Sequence, residues 1–308
     1  MIITIVNMSK RIADAELQRV VRAVNRQIRE DFEPYWSLGA TLRLEGKSKN
    51  SPDKLNLPDM RGDAVLYVWD KVDVPGALGY HDANARGIPY GFVFTDLEQA
   101  LNEAWTTTLS HEALELIADP LVNLLVAGPH PSEDRTVFHW YEMSDAVQGE
   151  AYTIDGVEVS NFVLPLYFTP TTEVGSRNDF LGIARDGETL PSFGINPGGY
   201  IGFFDPLAGE HGEHVTFSMA GDTDALKRLE AKRALSADGG SGGRRGYRIA
   251  GWPRERALAP ASRGARAPVR AAAASPPAAY RGSSQAVAVE QMATAVSSKC
   301  KRRFEQVS

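Results

Sequence analysis

Apolar runs in the first 70 positions predict two kinds of element. Residues 1–8 (MIITIVNM) are apolar and rich in β-branched side chains, which is typical of a buried strand. Between Lys10 and Arg29, apolar side chains recur every three or four positions, which predicts an amphipathic helix with Ser9 as its N-cap and Pro34 just past its end. Two strands are then predicted, at 36–46 and 63–70, with a polar loop at 47–62 between them.

Another strand and a second helix follow, and they define the predicted fold class. Residues 87–96 (GIPYGFVFTD) have strand character, and Pro89 favours the edge of a sheet because proline has no N–H for the ladder. A helix with a buried apolar stripe is predicted from about Leu97 to Ala118, and Pro120 lies past its end. The order strand, helix, strand, strand, strand, helix predicts an α+β fold, with helices packed on a mixed sheet.

The rest of the chain divides into a folded part and a tail. Residues 150–162 (EAYTIDGVEVSNF) predict a hairpin, because two alternating runs flank an Asp-Gly dipeptide. Strands are also predicted at 196–205 and 213–220. After residue 235 the composition becomes rich in Ala, Pro, Arg and Ser. We therefore predict a folded domain over 1–225 and a disordered basic tail over 236–308.

Charge is unevenly distributed between these two parts. The chain of 308 residues has a net charge of -6, but residues 1–224 hold 16 basic and 34 acidic side chains, whereas residues 225–308 hold 17 and 5. The tail could contact nucleic acid, yet its arginines lack interleaved aromatic residues, so nucleic-acid binding is expected only there, if anywhere. The single cysteine, Cys300, excludes an intrachain disulfide. With no signal-peptide pattern and no long apolar run, a soluble cytoplasmic protein without membrane contact is expected.

The second helix contains the segment TLSHEALELIADP, residues 107–119. Residues four apart lie on one face of a helix, so His111 and Glu115 could bind the same metal ion. Glu112 is rotated by about 100° and could act as a general base beside a water molecule. This is the logic of the H-E-x-x-H motif, with Glu115 in place of the second histidine. The alternative is an ordinary amphipathic helix that happens to contain a histidine.

Further candidates lie on both sides of the motif. Glu142 and Asp145, in WYEMSDAVQG, could each supply the third ligand of a catalytic site. Asp119 could orient His111 or Glu115 from the second coordination shell, or it could simply end the helix. Tyr141 could stabilise an oxyanion. Residues 78–87, with His81 and Asp82, could border a cleft, although their composition favours a polar turn.

LSHEALELIADP followed by WYEMSDAVQG resembles zincin-like metallopeptidases. It is similar to poorly characterised proteins that carry S-H-E-x-x-E-x-x-x-D-P and a downstream E-x-x-D, and the likeness covers roughly residues 60–170. The resemblance implies a zinc-dependent hydrolase fold with an active-site helix, His111 and Glu115 as ligands and Glu112 as base. Such enzymes place an edge strand beside the substrate, which would be residues 87–96 here. The departure from H-E-x-x-H bears on activity more than on fold.

The predicted function is therefore that of a zinc metallopeptidase with one Zn²⁺ ion and a peptide or protein substrate. In this prediction Glu112 takes a proton from the attacking water and passes it to the leaving amine. The alternative is a catalytically inactive binding or structural protein on the same scaffold. If Glu142 and Asp145 both point away from His111, no three-ligand site exists and that alternative is favoured.

Overall fold

The computed structural model describes residues 1–50, 53–71, 77–170, 177–210 and 212–218. All of these lie in the first of two units into which the chain divides, Met1–Pro260 and Ala261–Ser308. The predicted tail at 236–308, including Cys300, lies outside the described residues. None of the helices in the described part combines the length and the apolar composition needed to cross a membrane.

Eleven strands and four α-helices are present in the described residues. The strands are β1 (Ile2–Asn7), β2 (Thr41–Lys47), β3 (Ala64–Trp69), β4 (Gly79–Ala83), β5 (Pro89–Phe94), β6 (Leu125–Pro129), β7 (Thr136–Trp140), β8 (Ala151–Ile154), β9 (Val157–Ser160), β10 (Tyr200–Asp205) and β11 (Glu213–Ser218). The helices are α1 (Asp14–Gln27), α2 (Glu33–Trp36), α3 (Thr95–Leu101) and α4 (Trp105–Ala118).

The main sheet is mixed and has the strand order β2-β1-β3-β5-β4. Strands β2, β1, β3 and β5 run parallel, and β4 pairs antiparallel with β5 at one edge. Helices α1 and α4 pack on one face, where Ile3, Ile5 and Leu66 join their apolar side chains in one core. The α+β fold with a mixed sheet is therefore confirmed. A second sheet has the order β11-β10-β7-β6, and β8 and β9 form the predicted hairpin, with Asp155 and Gly156 at positive φ.

The predicted edge strand is wrong. Strand β5, which forms most of the predicted segment 87–96, lies between β3 and β4 and is therefore interior to the sheet. Pro89 is tolerated because it is the first residue of the strand. The edge strand next to β5 is β4, which covers much of the segment predicted to be a polar turn. The sequence did not show this because the whole strand is only five residues long and contains His81 and Asp82.

Both predicted helices have different limits in the structure. Ser9 does not cap α1: its hydroxyl accepts hydrogen bonds from the N–H groups of Arg11 and Ile12, and the helix begins at Asp14. The helical chain then continues through a π-helical turn, Ile28–Phe32, into α2, whose first turn accommodates Pro34. The helix predicted over 97–118 is divided into α3 and α4 at Asn102, which adopts a left-handed conformation.

Candidate metal centre

Helix α4 is buried on every side. It contacts β4 and β5 of the main sheet and β9 of the hairpin. Each residue from Thr108 to Ala118 is buried, so the helix is not the ordinary amphipathic helix of the alternative interpretation. His111, Glu112 and Glu115 therefore lie inside the protein, where charged groups are normally paired or bound to metal.

His111, Glu115 and Asp145 form one group of potential ligands. His111 Nε2 lies 3.2 Å from Glu115 Oε2 and 3.2 Å from Asp145 Oδ1. The three donor atoms all lie within 4.8 Å of one another. One nitrogen and two carboxylate oxygens are a donor set that suits catalytic zinc, with a position left for water. Because Asp145 faces His111, the condition that would have favoured an inactive scaffold is not met.

Glu142 belongs to a different group. It lies with His81 of β4, and His81 Nε2 is 3.8 Å from Glu142 Oε2. Glu115 is also part of this second group, because its Oε2 lies 3.7 Å from His81 Nδ1. The sequence predicts that either Glu142 or Asp145 is the third ligand. In the structure Glu142 lies beside His81 and Asp145 lies beside His111.

Glu112 is held between α4 and the edge strand. His81 Nδ1 lies 3.2 Å from Glu112 Oε2, and both side chains are buried. Gly79 of β4 provides the space for the other oxygen, since a Cβ there would lie 2.8 Å from Glu112 Oε1 and 2.7 Å from Thr108 Cγ2. The predicted base is thus held against β4. It lies next to both groups of potential ligands but belongs to neither.

The loop after β7 and the start of β10 supply further hydrogen bonds to the two groups of potential ligands, which together are called the cluster below. The Ser144 N–H donates to Glu115 Oε1 at 3.1 Å, which leaves Oε2 to face the histidines. The Tyr200 hydroxyl donates to Asp145. Gly199 allows this approach, because a Cβ there would lie 2.3 Å from the Ala146 carbonyl oxygen.

The pKa values of the first group show how strongly these side chains interact. Burial opposes protonation of His111, but Glu115 and Asp145 outweigh it and hold the His111 pKa well above its usual value. Burial also opposes ionisation of Glu115, yet His111 lowers its pKa. Burial and the neighbouring Glu115 raise the pKa of Asp145 to about 6. A positive charge between the two carboxylates of this group is therefore strongly stabilised. A proton on His111 or a bound metal ion can supply that charge.

Two predicted site residues lie elsewhere. The Tyr141 ring packs against Trp36 and Phe168, with centroid distances of 5.7 and 4.7 Å, and its oxyanion role stays a prediction. The Asp119 carboxylate accepts hydrogen bonds from the N–H groups of Asn123 and Leu124. These bonds stabilise the turn after α4, which supports the helix-ending role of Asp119 rather than a role in orienting His111 or Glu115.

Two residues of the candidate site, His81 and Tyr200, are not indicated by the sequence. The sequence favours a polar turn for His81 and gives Tyr200 no role, because each is far along the chain from the motif. The run of Tyr80, His81 and Asp82 is too short to indicate a strand, whereas the Gly-Gly pair before Tyr200 is a signal that could have indicated a close approach of the backbone.

His139 is buried in a different environment, and we expect it to make stability depend on pH. Its Nε2–H donates to the Pro129 carbonyl oxygen at 2.9 Å, and its ring packs against Phe193 and Phe203. Burial lowers its pKa to about 4. The unfolded chain, with a histidine pKa of about 6.5, therefore binds more protons between those values, and the free energy of unfolding should fall by up to about 3 kcal/mol as the pH falls from about 6.5 to 4.

Urea unfolding at pH 7 and pH 4.5 measures this effect. His139→Gln should lose a large part of the difference between the two pH values, because glutamine does not titrate. His130→Gln, at a partly exposed histidine, is the control and should change the difference much less. An unchanged pH dependence in His139→Gln would show that other groups cause it.

Comparison of the chain with protein families, with curated proteins and with solved structures found no match.

Proposed function

We propose that this protein is a zinc-dependent hydrolase that cleaves peptide bonds, with a Zn²⁺ ion held by His111, Glu115 and Asp145. The observation that carries the proposal is the convergence of these three donor atoms within 4.8 Å at the centre of a buried helix. The resemblance of the motif to zincin-like metallopeptidases supports the same function.

The residues around the ion have separate roles in this proposal. Bound zinc lowers the pKa of a water molecule and polarises a carbonyl group. Glu112 accepts the proton of the attacking water and delivers it to the leaving amine. Tyr200 holds Asp145 in place through its hydroxyl, whose pKa is raised well above its usual value by burial and by Asp145, so it remains a hydrogen-bond donor.

The substrate is proposed to be an extended peptide that pairs with β4. An edge strand offers backbone N–H and C=O groups to an added strand. Two residues of β4, Gly79 and His81, contact Glu112, so a peptide along this strand would pass beside the base. Because β4 rather than β5 is the edge strand, the proposed substrate path runs beside the motif.

Metal content tests the function first. The full chain, purified without chelators or a histidine tag, should contain zinc by elemental analysis. His111→Ala should contain about one ion per chain less, because the remaining donors of its group are two carboxylates. His130→Ala is the matched control and should leave the zinc content unchanged.

Zinc-dependent cleavage of a synthetic peptide mixture, followed by mass spectrometry, tests the reaction itself. No zinc in the wild-type protein, even after zinc is added, would reject the proposal and favour the inactive binding or structural protein. Bound zinc without any peptide cleavage would leave a metal site but reject the peptidase.

A further inference from the structure

The cluster formed by the two groups of potential ligands around α4 contains more ligands than one metal ion needs. The His111 group and the His81 group each contain one histidine and two carboxylates, and they share Glu115. Glu115 Oε2 lies 3.2 Å from His111 Nε2, and it also lies beside the His81 ring, 3.7 Å from Nδ1, so Glu115 is a potential ligand in both groups. A shared carboxylate between two such groups is the arrangement expected of a bridging ligand.

His81 gives independent support for a ligand in the second group. The residue is 8% exposed, and its Nε2 has no hydrogen-bond partner among the described residues. Nδ1 faces Glu112 at 3.2 Å, and because a carboxylate only accepts, Nδ1 carries the proton of that hydrogen bond. Metal-binding histidines commonly donate one ring N–H to a carboxylate while the other nitrogen binds the ion.

The position of His81 Nε2 fits this arrangement. It lies 3.8 Å from Glu142 Oε2, which is beyond hydrogen-bond distance. An unprotonated nitrogen this close to a buried carboxylate is unfavourable unless a positive charge, from a proton or a cation, lies between them. A divalent cation bound to both atoms would supply that charge.

The charges of the cluster point to the same conclusion. Glu112, Glu115, Glu142 and Asp145 are four carboxylates, and their side chains are at most 10% exposed. Within the described part of the chain, the basic side chains that pair with Glu112, Glu115 and Asp145 are the two histidines. Cations bound to both groups would stabilise carboxylates that are concentrated in the protein interior.

We propose that the cluster is a two-metal centre in which Glu115 bridges the ions. The first ion is the one of the proposed function, with His111 and Asp145, and the inference extends that function. The second ion is bound by His81 Nε2 and Glu142. It is a divalent metal ion such as Zn²⁺ or Mn²⁺. Paired ions recur in hydrolases, including aminopeptidases.

Metal stoichiometry tests the inference. The full chain is stripped with a chelator, dialysed against Zn²⁺ and analysed for bound metal, with Co²⁺ absorption spectra as a second readout. We expect two ions in the wild type and one each in His81→Gln, Glu142→Gln and His111→Ala. The double variant His81→Gln/His111→Ala should bind none tightly. His130→Ala is the control and should bind two.

The outcomes separate this inference from the proposed function. One ion in the wild type, retained in His81→Gln and Glu142→Gln but lost in His111→Ala, would overturn the second site and leave the first intact. Two ions in both His81→Gln and Glu142→Gln would also overturn it, as would a single ion that needs both histidines. No bound ion in the wild type would reject both proposals. Circular dichroism confirms folding of each variant, and Glu142→Gln tests the second site without altering β4.

Discussion

Replacement of Glu112 by glutamine is expected to abolish most of the proposed hydrolysis and to leave the proposed metal ion bound. Glutamine has nearly the same shape and can keep a hydrogen bond to His81, but it cannot accept the proton of the attacking water. General base catalysis contributes about 10²–10⁴-fold to rates, so kcat should fall by about that factor. Glu112 belongs to neither group of ligands, so the zinc content should not change.

The measurement combines elemental analysis with the rate of cleavage of a peptide that the wild-type protein hydrolyses. Glu158→Gln makes the same chemical change at an exposed position of β9 and serves as the control. Wild-type activity in Glu112→Gln would show that another group is the base. Loss of the metal would instead make Glu112 a ligand.

The largest loss of stability is expected from Asn161→Asp. The side chain of Asn161 is completely buried, and its amide nitrogen donates to Glu150 at 2.6 Å and to Asp179 at 2.9 Å. Its amide oxygen accepts from the N–H groups of Phe162 and Leu181. Aspartate removes both donors and places a third carboxylate between two others. We expect the free energy of unfolding to fall by about 3–5 kcal/mol, the cost typical of a broken buried polar network.

Urea unfolding at pH 7 measures this loss. Asn50→Asp is the matched control, because Asn50 also donates to an aspartate, Asp59, but in an exposed part of the chain. Its free energy of unfolding should change by less than about 1 kcal/mol. Equal unfolding midpoints for the two variants would show that the Asn161 network adds little to stability.

The local pattern of the sequence was sufficient for much of the fold. The apolar run of β1 and the alternation around Asp155 and Gly156 predicted elements that the structure contains, because short-range hydrophobic periodicity and turn chemistry determine them. The spacing of His111 and Glu115 also placed two potential ligands on one helix, since helical geometry alone brings positions four apart together.

Only the tertiary structure decided how the cluster is assembled. In the tertiary structure α4 is buried on all sides, β4 is an edge strand of the main sheet, and His81 lies beside Glu112 and Glu142. Asp145, rather than Glu142, lies beside His111. These contacts depend on strand order and on the packing of segments distant in the chain, and no periodicity within one segment encodes such pairings. The sequence by itself determined which helix carries the candidate ligands. The packing of the sheet, the hairpin and the loop after β7 around that helix determined which side chains complete the candidate site.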